Sequence, residues 1–352
     1  MTPASPTLSE RTPSARRTLG RCRALVRPCL VTALDRLHPA TRRLAVYACG
    51  LEEAGRAPAG GGGGKGVRPA LALLAGEAVG GGAEAALPAA VATELLHTFS
   101  LIHDDILDED EWRRHRPTVW KAFGTGPAVL AGDALFALAV ETVSTSGAGD
   151  CAQALRLLCA ALDGLMRGQA QDLQFEQRPW RGGDAVLPEE YRAMVGDKTG
   201  ALFGGAVALG ALLAGAGPGP VAAFGAAGRQ LGLAFQIVDD VLGIWGDPRR
   251  TGKPVGSDLR RGKKTLPVVA VLAEGGAAAR RLAGLLEAGE LDDAGARAAA
   301  ALLEEAGGRS LALAEGRLAL TRAYRTLAEV PLVPRAWREL TALADFLVER
   351  AG

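Results

Sequence analysis

Residues 94–108 read Glu94-Leu-Leu-His97-Thr-Phe99-Ser100-Leu-Ile-His103-Asp104-Asp105-Ile-Leu-Asp108. Apolar residues recur here at three- and four-residue spacing, which predicts a helix. Asp104 and Asp108 are four residues apart, so their carboxylates would lie one turn apart on the same helix face. Such a pair suits a hard divalent cation, because these ions prefer oxygen ligands. The stretch therefore predicts a helix that carries a metal site.

A second aspartate pair, Asp239-Asp240, follows Phe235-Gln236 much further along the chain. Each pair is matched by nearby basic residues, with Arg113 and Arg114 after the first pair and Lys253, Lys263 and Lys264 after the second. Carboxylates that hold a metal, together with lysine and arginine, suit a diphosphate ligand. The two clusters indicate a site for a phosphorylated substrate.

The remainder of the chain is also helical in pattern. Residues 88–107, 132–143, 152–174 and 311–327 repeat apolar residues at helical spacing, whereas alternating β-type runs are scarce. We predict an all-α fold with one domain over residues 21–352. Residues 1–20 are rich in Thr, Pro, Ser and Arg, and we expect them to form a disordered arm. The uncharged stretch 201–217 is interpreted as a buried helix, so no transmembrane segment is expected.

Charge and cysteine content exclude some classes of protein. The 352 residues include 40 Lys+Arg and 39 Asp+Glu, a formal net charge of +1. The chain as a whole has no excess of positive charge for a polyanion, so nucleic acid is not expected as a partner. The 5 cysteines form no C-x-x-C pair, which favours a reducing, cytoplasmic location.

The motifs, in their order, resemble those of trans-isoprenyl diphosphate synthases, the polyprenyl synthetase family, and most closely bacterial geranylgeranyl diphosphate synthases. Besides residues 94–108, the set consists of Gly64-Lys65-Gly66-Val67-Arg68-Pro69, Arg113-Arg114-His115-Arg116-Pro117-Thr118, Gly132-Asp133, Gly168-Gln169, Lys198-Thr199-Gly200, Phe235-Gln236-Ile-Val-Asp239-Asp240 and Gly252-Lys253-Pro254-Val255-Gly256-Ser257-Asp258-Leu259. The similarity runs from about Leu44 to Arg350.

This resemblance implies a single-domain bundle of long antiparallel helices around a central cavity, with the two aspartate clusters facing each other across its mouth. It implies a Mg²⁺-dependent prenyltransferase that condenses isopentenyl diphosphate with allylic diphosphates (dimethylallyl, geranyl or farnesyl) to make a trans-polyprenyl diphosphate. A homodimer is the usual form in the family.

The resemblance also assigns roles to individual residues. Asp104, Asp108 and Asp239 would bind metal, supported by Asp105 and Asp240. The wider catalytic set is Asp104, Asp105, Asp108, Arg113, Lys198, Asp239, Asp240 and Lys253. The allylic diphosphate would be held by Arg113, Lys198, Lys253, Thr199, Gln236 and Lys263. The isopentenyl diphosphate would be held by Lys65, Arg68, His97 and Arg114. Gln169 and Asp172 would line the pocket.

Two departures from the family pattern concern glycines. Gly66 stands where many members have arginine, and Gly243 stands where a third aspartate of the second cluster is common. Asp247 could compensate for Gly243. Four other residues are given structural interpretations: His103 and His115 are structural, Asp133 is a capping or packing group, and Lys264 is solvated.

Product length is predicted from the residues before Asp104. Phe99 is an aromatic residue five positions earlier, Ser100 is small, and in similar enzymes this combination goes with geranylgeranyl diphosphate. Alternatives are a farnesyl or longer-chain synthase. In another interpretation Phe99 is ordinary core packing, and the floor of the cavity is set elsewhere, for instance by residues of the 201–217 helix. A class I terpene cyclase usually has an Asn/Ser/Glu metal motif, and this chain contains no asparagine. A non-catalytic subunit usually lacks the aspartates.

Overall fold

The computed structural model describes residues 8–51, 66–147, 150–247 and 255–351, with side chains described from residue 13 to residue 350. The structure is 79% helical with almost no strands. The predicted fold class is therefore confirmed. The prediction of one domain over residues 21–352 around a central cavity stays a prediction.

The α-helices that the structure describes follow one another from Leu8 to Val348. They are α1 (Leu8–Leu34), α2 (Pro39–Ala48), α3 (Val67–Ala78), α4 (Ala83–Leu107), α5 (Val119–Phe123), α6 (Thr125–Ser144), α7 (Cys151–Glu176), α8 (Pro188–Val195), α9 (Ala201–Leu213), α10 (Pro218–Trp245), α11 (Ser257–Arg260), α12 (Leu266–Glu274), α13 (Gly276–Glu287), α14 (Asp293–Glu305), α15 (Gly308–Leu327) and α16 (Pro334–Val348). A π-helical turn, Gly196–Gly200, precedes α9, and the short strands β1 (Trp112–Arg113) and β2 (Arg116–Pro117) form an antiparallel hairpin.

The chain divides into two compact units, each built from three segments. Unit 1 comprises Met1–Leu162, Leu202–Gly225 and Glu329–Leu343. Unit 2 comprises Asp163–Ala201, Ala226–Ala328 and Ala344–Gly352. The first aspartate cluster belongs to unit 1 and the second to unit 2.

In unit 1, α4 packs along α3 and α6. The core contains fully buried leucines from α3 and α4, such as Leu71, Leu74, Leu95 and Leu96. Residues 202–213 of α9 are almost entirely buried within this unit. A helix that is apolar all round is expected to be buried, and this agrees with the buried-helix interpretation for residues 201–213; residues 214–217 instead form the turn after α9.

In unit 2, a core of small and branched apolar residues joins the end of α10 to α11–α14. Ile244, Val268, Leu282 and Leu303 in this core are completely buried. The core fixes the C-terminal half of α10 and the N-terminus of α12. The C-terminal half of α10 carries Asp239 and Asp240, and the N-terminus of α12 donates a hydrogen bond to Asp240.

The N-terminal helix corrects one expectation. Residues 8–20 lie in α1, which includes Pro13, so the expectation of a disordered arm is wrong for them; residues 1–7 lie outside the described residues. The Arg21 guanidinium bonds to Glu77 at 2.5 and 2.8 Å and to Glu339 at 2.7 Å. These contacts, with the burial of Ala15 and Leu19, stabilise a helix that composition alone does not predict.

Among the residues that the structure describes, three helices are long and apolar enough to cross a membrane by length and composition: α4, α6 and α10. Their most apolar windows are 67%, 39% and 50% buried inside the fold. The absence of a transmembrane segment therefore stays a prediction.

Candidate active site

The first aspartate cluster lies at the C-terminal end of α4. Asp108 caps the helix, and its N–H donates to the carbonyl of Asp104 at 2.8 Å. Asp104 and Asp108 are partly exposed on one face, whereas Asp105 is 4% exposed. Burial raises the pKa of Asp105, although the adjacent Arg113 opposes this shift. Asp104 and Asp108 are thus the pair that can meet a ligand.

The β1–β2 hairpin carries the two predicted arginines. Arg113 donates from Nε to Asp105 Oδ1 at 2.6 Å. The two-residue turn consists of Arg114 and His115, with φ values of 51° and 62°. Positive φ at both turn residues matches the twist of a type I′ hairpin, but it is costly for residues other than glycine and asparagine. The hairpin as a whole therefore presents the guanidinium groups of Arg113 and Arg114 beside the first aspartate cluster.

Arg68 and His97 come together from α3 and α4. Arg68 Nη1 lies 3.2 Å from His97 Nε2, and its guanidinium lies 4.7 Å above the Phe203 ring. Arginine can only donate, so Nε2 accepts and the proton of the neutral ring is on Nδ1. Burial first, then Arg68 and Arg114, hold the pKa of His97 well below its usual value.

The Nδ1 atom of His97 is buried and has no hydrogen-bond partner in the part of the chain that the structure describes. A buried N–H without a partner is costly, so this donor is suited to an anionic ligand. A cavity in the same unit is lined by Tyr47, Thr98, Asp105, Arg113, Arg114 and Arg116. The concentration of arginines around it is typical of a phosphate site.

In unit 2 the predicted diphosphate-binding residues Lys198 and Thr199 lie in the π-helical turn between α8 and α9. Such turns occur frequently at functional sites. A Cβ atom at Gly168 would lie 2.1 Å from the backbone nitrogen of Lys198, so glycine is needed where α7 passes this turn. Lys198 Nζ bonds to Asp172, which brings the predicted pocket residue and the predicted cation together.

Asp240 is the centre of a buried network. Its Oδ1 accepts from Gln236 Nε2 at 3.0 Å, and its Oδ2 accepts from the Leu266 N–H at 3.0 Å and from the Tyr191 hydroxyl. Gln236 Oε1 in turn accepts from Thr199 Oγ1 at 3.0 Å. Burial raises the pKa of Asp240 to about 7. Gln236 thus contacts Asp240 directly, Thr199 is linked to it through Gln236, and Tyr191 is a contact that the sequence did not indicate.

Asp239 has a partner that the sequence analysis also missed. Arg350, in the last turn of the chain, lies with Nη2 2.9 Å from Asp239 Oδ1. Its guanidinium also lies 4.6 Å above the Phe235 ring. The side chain of Asp239 is 39% exposed, so this carboxylate, unlike that of Asp240, is accessible to a ligand.

The structure accounts for the glycine at position 243, where the family pattern often has a third aspartate. A Cβ atom at Gly243 would lie 1.9 Å from Asp258 Oδ2, so the Asp258 carboxylate fills the space beside this glycine. Gly256 N donates to Ile244 O at 3.1 Å and ties the loop before α11 to this part of α10. Asp247, the residue suggested as a substitute, is exposed. Glycine at 243 and the position of Asp258 therefore depend on each other.

Gly243→Ala is expected to destabilise the protein by about 1–2 kcal/mol relative to Gly316→Ala, because the new methyl group must displace Asp258. Gly316 lies in α15, where a Cβ atom would meet nothing closer than 3.7 Å, so alanine there should be neutral or stabilising. Thermal unfolding of both variants measures the difference. The loss of stability relative to Gly316→Ala should disappear when Asp258→Ala is added to Gly243→Ala. If the loss persists in the double variant, this account is contradicted.

Lys264, Asp133 and His103 lie in three different environments, which test the structural interpretations made from the sequence. Lys264 is 7% exposed and its Nζ lies 3.0 Å from the Trp180 ring centroid, so the prediction of a solvated side chain is wrong. Burial lowers its pKa to about 8. Asp133 lies inside α6 with its side chain 62% exposed, so it neither caps a helix nor packs in the core. His103 packs edge-on against Phe99 at 4.8 Å, a structural contact as predicted.

The carboxylates of the two aspartate clusters can supply only part of the coordination shell of a magnesium ion. Within the described ranges, no group of three or more His, Cys, Asp or Glu side chains is arranged to hold a metal. Mg²⁺ usually binds through one or two carboxylates and completes its shell with water and substrate phosphate oxygens. The partly exposed pair Asp104 and Asp108, and the partly exposed Asp239, fit that mode of binding.

The structure thus places the predicted residues in two groups. Unit 1 contains Arg68, His97, Phe99, Ser100, Asp104, Asp105, Asp108, Arg113 and Arg114. Unit 2 contains Lys198, Thr199, Gln236, Asp239, Asp240 and Lys263. Lys65 and Lys253 lie outside the described residues.

Comparison with known proteins agrees with this pattern of residues. The Polyprenyl synthetase family model matches residues 59–303. The (2E,6E)-farnesyl diphosphate synthase of Mycobacterium bovis is 44% identical over 340 residues, covering 94% of this chain and 92% of the relative. The geranylgeranyl diphosphate synthase of Mycobacterium tuberculosis is 41% identical over 335 residues, covering 94% and 93%. A crystal structure of a polyprenyl synthetase from Streptomyces coelicolor A3(2) has a TM-score of 0.88 and 48% identity, covering 94% of this chain and 99% of that one.

The all-helical fold, the two aspartate pairs and the similarity to prenyl diphosphate synthases over most of the chain together define a prenyltransferase. The chain belongs to the polyprenyl synthetase family, as its match to the family model and its similarity to these relatives show. Enzymes of this family act on isoprenyl diphosphates and generally depend on a divalent metal.

Proposed function

We propose that this enzyme condenses isopentenyl diphosphate with an allylic diphosphate in a Mg²⁺-dependent reaction and releases geranylgeranyl diphosphate. The observation that carries the proposal is the arrangement in unit 1. Asp104 and Asp108 lie on one face of α4, close in sequence to the arginine-bearing hairpin, and Arg68 is paired with His97. Carboxylates for a metal and donors for a second anion suit an enzyme that handles two diphosphates.

Asp104, Asp108 and Asp239 would hold the metal. When bound, Mg²⁺ would act as a Lewis acid on the departing diphosphate. Arg113 and Lys198 would bind the same diphosphate, with Thr199, Gln236, Lys253 and Lys263 nearby. Positive charge that is fixed where negative charge develops stabilises the transition state for breaking the carbon–oxygen bond.

Arg68, His97 and Arg114, with Lys65, would bind the isopentenyl diphosphate. The support is the buried Nδ1–H of His97 and the charges of Arg68 and Arg114, both of which act on this ring. Binding through fixed donors would orient the double bond of the second substrate toward the allylic carbon. Orientation of this kind contributes a large part of the rate in a two-substrate reaction.

The purified chain alone tests the proposal. With Mg²⁺, isopentenyl diphosphate and each allylic diphosphate in turn (dimethylallyl, geranyl, farnesyl), the dephosphorylated products should be identified by chromatography. Turnover without a second protein would exclude a non-catalytic subunit, and linear alcohols rather than cyclic hydrocarbons would exclude a terpene cyclase. Failure to consume isopentenyl diphosphate with any starter would refute the proposal.

The product length is the finer part of the proposal, because similar enzymes include both farnesyl and geranylgeranyl diphosphate synthases. Ser100 lies one turn before Asp104 on the same face of α4 and is 8% exposed. Phe99 points to another side of the helix, where it is 4% exposed and lies 6.0 Å from Phe136. A small residue on the Asp104 face supports a product longer than farnesyl diphosphate.

Ser100→Phe is expected to shorten the main product from twenty to fifteen carbons, and Phe99→Ala is expected to lengthen it. Ser100→Ala is the matched control and should leave the product unchanged, because the side chain stays small. Chromatography of the dephosphorylated products measures all three. An unchanged product from Phe99→Ala would show that its packing against His103 and Phe136 is its whole role.

A homodimer and a cytoplasmic location complete the proposal. The exposed side of α6 carries Leu130, 59% exposed, and Val129, 40% exposed, and an apolar helix face of this kind suits a second copy of the chain. All five cysteines are free, which fits a reducing compartment. Sedimentation of Leu130→Glu tests the interface, since a buried charge there should shift the protein toward the monomer.

A further inference from the structure

Asp239 and Asp240 are neighbours in sequence but have opposite environments within unit 2. Asp240 is 5% exposed and accepts three hydrogen bonds, from Gln236, the Leu266 N–H and Tyr191. The Asp239 side chain is 39% exposed. Successive residues of an α-helix project about 100° apart, so holding one side chain inward determines where the next one points.

We infer that Tyr191 is a positioning residue for the second aspartate pair: its hydroxyl holds Asp240 in the interior and thereby presents Asp239 to the divalent cation. This inference rests on the proposed function. Tyr191 touches neither substrate nor metal in this assignment and acts only through Asp240. The sequence motifs of the site do not include it.

Tyr191 is well placed for this role. It is 2% exposed and lies on α8, immediately before the π-helical turn that carries Lys198 and Thr199. Its hydroxyl bonds to Asp240 on α10, which also receives the first N–H of α12. One buried carboxylate thus joins three elements, and Tyr191 connects the turn with the diphosphate-binding residues to the helix with Asp239.

If Asp240 served only to stabilise the fold, a carboxylate would be an unfavourable side chain at this buried position. A buried carboxylate is costly even when it is hydrogen-bonded, and an apolar side chain can usually fill the same space without that cost. What the hydrogen-bonded carboxylate adds is direction, because three donors on two oxygens allow one orientation. Residues that orient a metal-binding group in this way commonly change metal affinity by 10- to 100-fold when replaced.

Tyr191→Phe removes the hydroxyl and leaves the ring. The matched control is Tyr324→Phe, because Tyr324 also donates to a carboxylate in unit 2, that of Asp345 at 2.6 Å. Mn²⁺ binding in the presence of inorganic pyrophosphate is measured by electron paramagnetic resonance for the wild type and both variants. Thermal unfolding, turnover number and the two KM values are measured in parallel.

Tyr191→Phe is expected to weaken Mn²⁺ binding by about tenfold or more and to lower the turnover number. Its KM for isopentenyl diphosphate should not change, because the residues proposed for that substrate belong to unit 1. Tyr324→Phe should leave Mn²⁺ binding and turnover unchanged. Equal Mn²⁺ binding by wild type and Tyr191→Phe would overturn the inference, even if the variant unfolded at a lower temperature.

If Tyr191→Phe does not fold, Asp240→Asn is the second variant, since it keeps the shape of the network but alters its donors and acceptors. The inference requires weaker Mn²⁺ binding there too, and unchanged binding would overturn it. A wild-type protein that binds no Mn²⁺ with pyrophosphate would instead refute the metal part of the proposed function. The two failures are therefore distinguishable.

Discussion

Asp104→Ala is expected to lower the turnover number by about a thousandfold or more while the protein stays folded. Asp104 is partly exposed at the end of α4 and shares a helix face with Asp108, so its carboxylate contributes more to ligand binding than to the core. Loss of one of two carboxylates would leave the metal held mainly by phosphate and water. The same loss is expected for Asp239→Ala.

Initial rates at saturating substrates, with Mg²⁺ varied, measure this effect, and chelation of the metal in the wild type should abolish turnover. Asp35→Ala is the control, because Asp35 is an exposed aspartate of unit 1 whose 2.8 Å contact with Arg42 lies at the surface. Such surface pairs contribute little to stability. Turnover of Asp104→Ala within tenfold of the control would exclude Asp104 as a metal ligand.

Arg68→Ala is expected to raise KM for isopentenyl diphosphate by about 10- to 100-fold and to leave KM for the allylic diphosphate nearly unchanged. A hydrogen bond to a charged group contributes about 1.5–3 kcal/mol, which corresponds to that range of affinity. Arg68 also fixes the proton of His97 on Nδ1, so its removal affects two donors. Lys198→Ala should affect the other substrate and mainly impair use of the allylic diphosphate.

Titration of each substrate at a saturating level of the other measures the two KM values. Lys121→Ala is the control, because Lys121 is an exposed lysine paired with Glu111 at 2.6 Å. If Arg68→Ala and Lys198→Ala change both KM values equally, the assignment of these cations to separate substrates is wrong. The assignment of both residues to diphosphate binding would survive that result.

The features that could be predicted from the sequence are local ones. Helical spacing of apolar residues gave the all-α class, and the four-residue separation of Asp104 and Asp108 placed both on one face of a helix. The link from Gln236 to Asp240 is also local, since the two residues are one turn apart on α10. In these cases the geometry of a single helix is sufficient.

The features that could not be predicted depend on contacts between distant segments. Tyr191 and Asp240 are 49 positions apart, and no spacing rule connects them. Lys264 would ordinarily be solvated, but it lies over Trp180. Gly243 departs from the family motif, and only the position of Asp258 explains it. Residues 8–20 lack strong helical signals, and packing within unit 1 overrides their composition.

The turn formed by Arg114 and His115 limits how the enzyme can be made more heat-tolerant. Both residues hold positive φ, a conformation that Asn-Gly adopts at lower cost. Selection for thermal stability alone would therefore favour Asn-Gly at these two positions. Such a change would remove the Arg114 guanidinium and with it a donor proposed for the second substrate. Mutant libraries should keep residue 114 fixed and vary residue 115, so that stability can be gained without loss of substrate affinity.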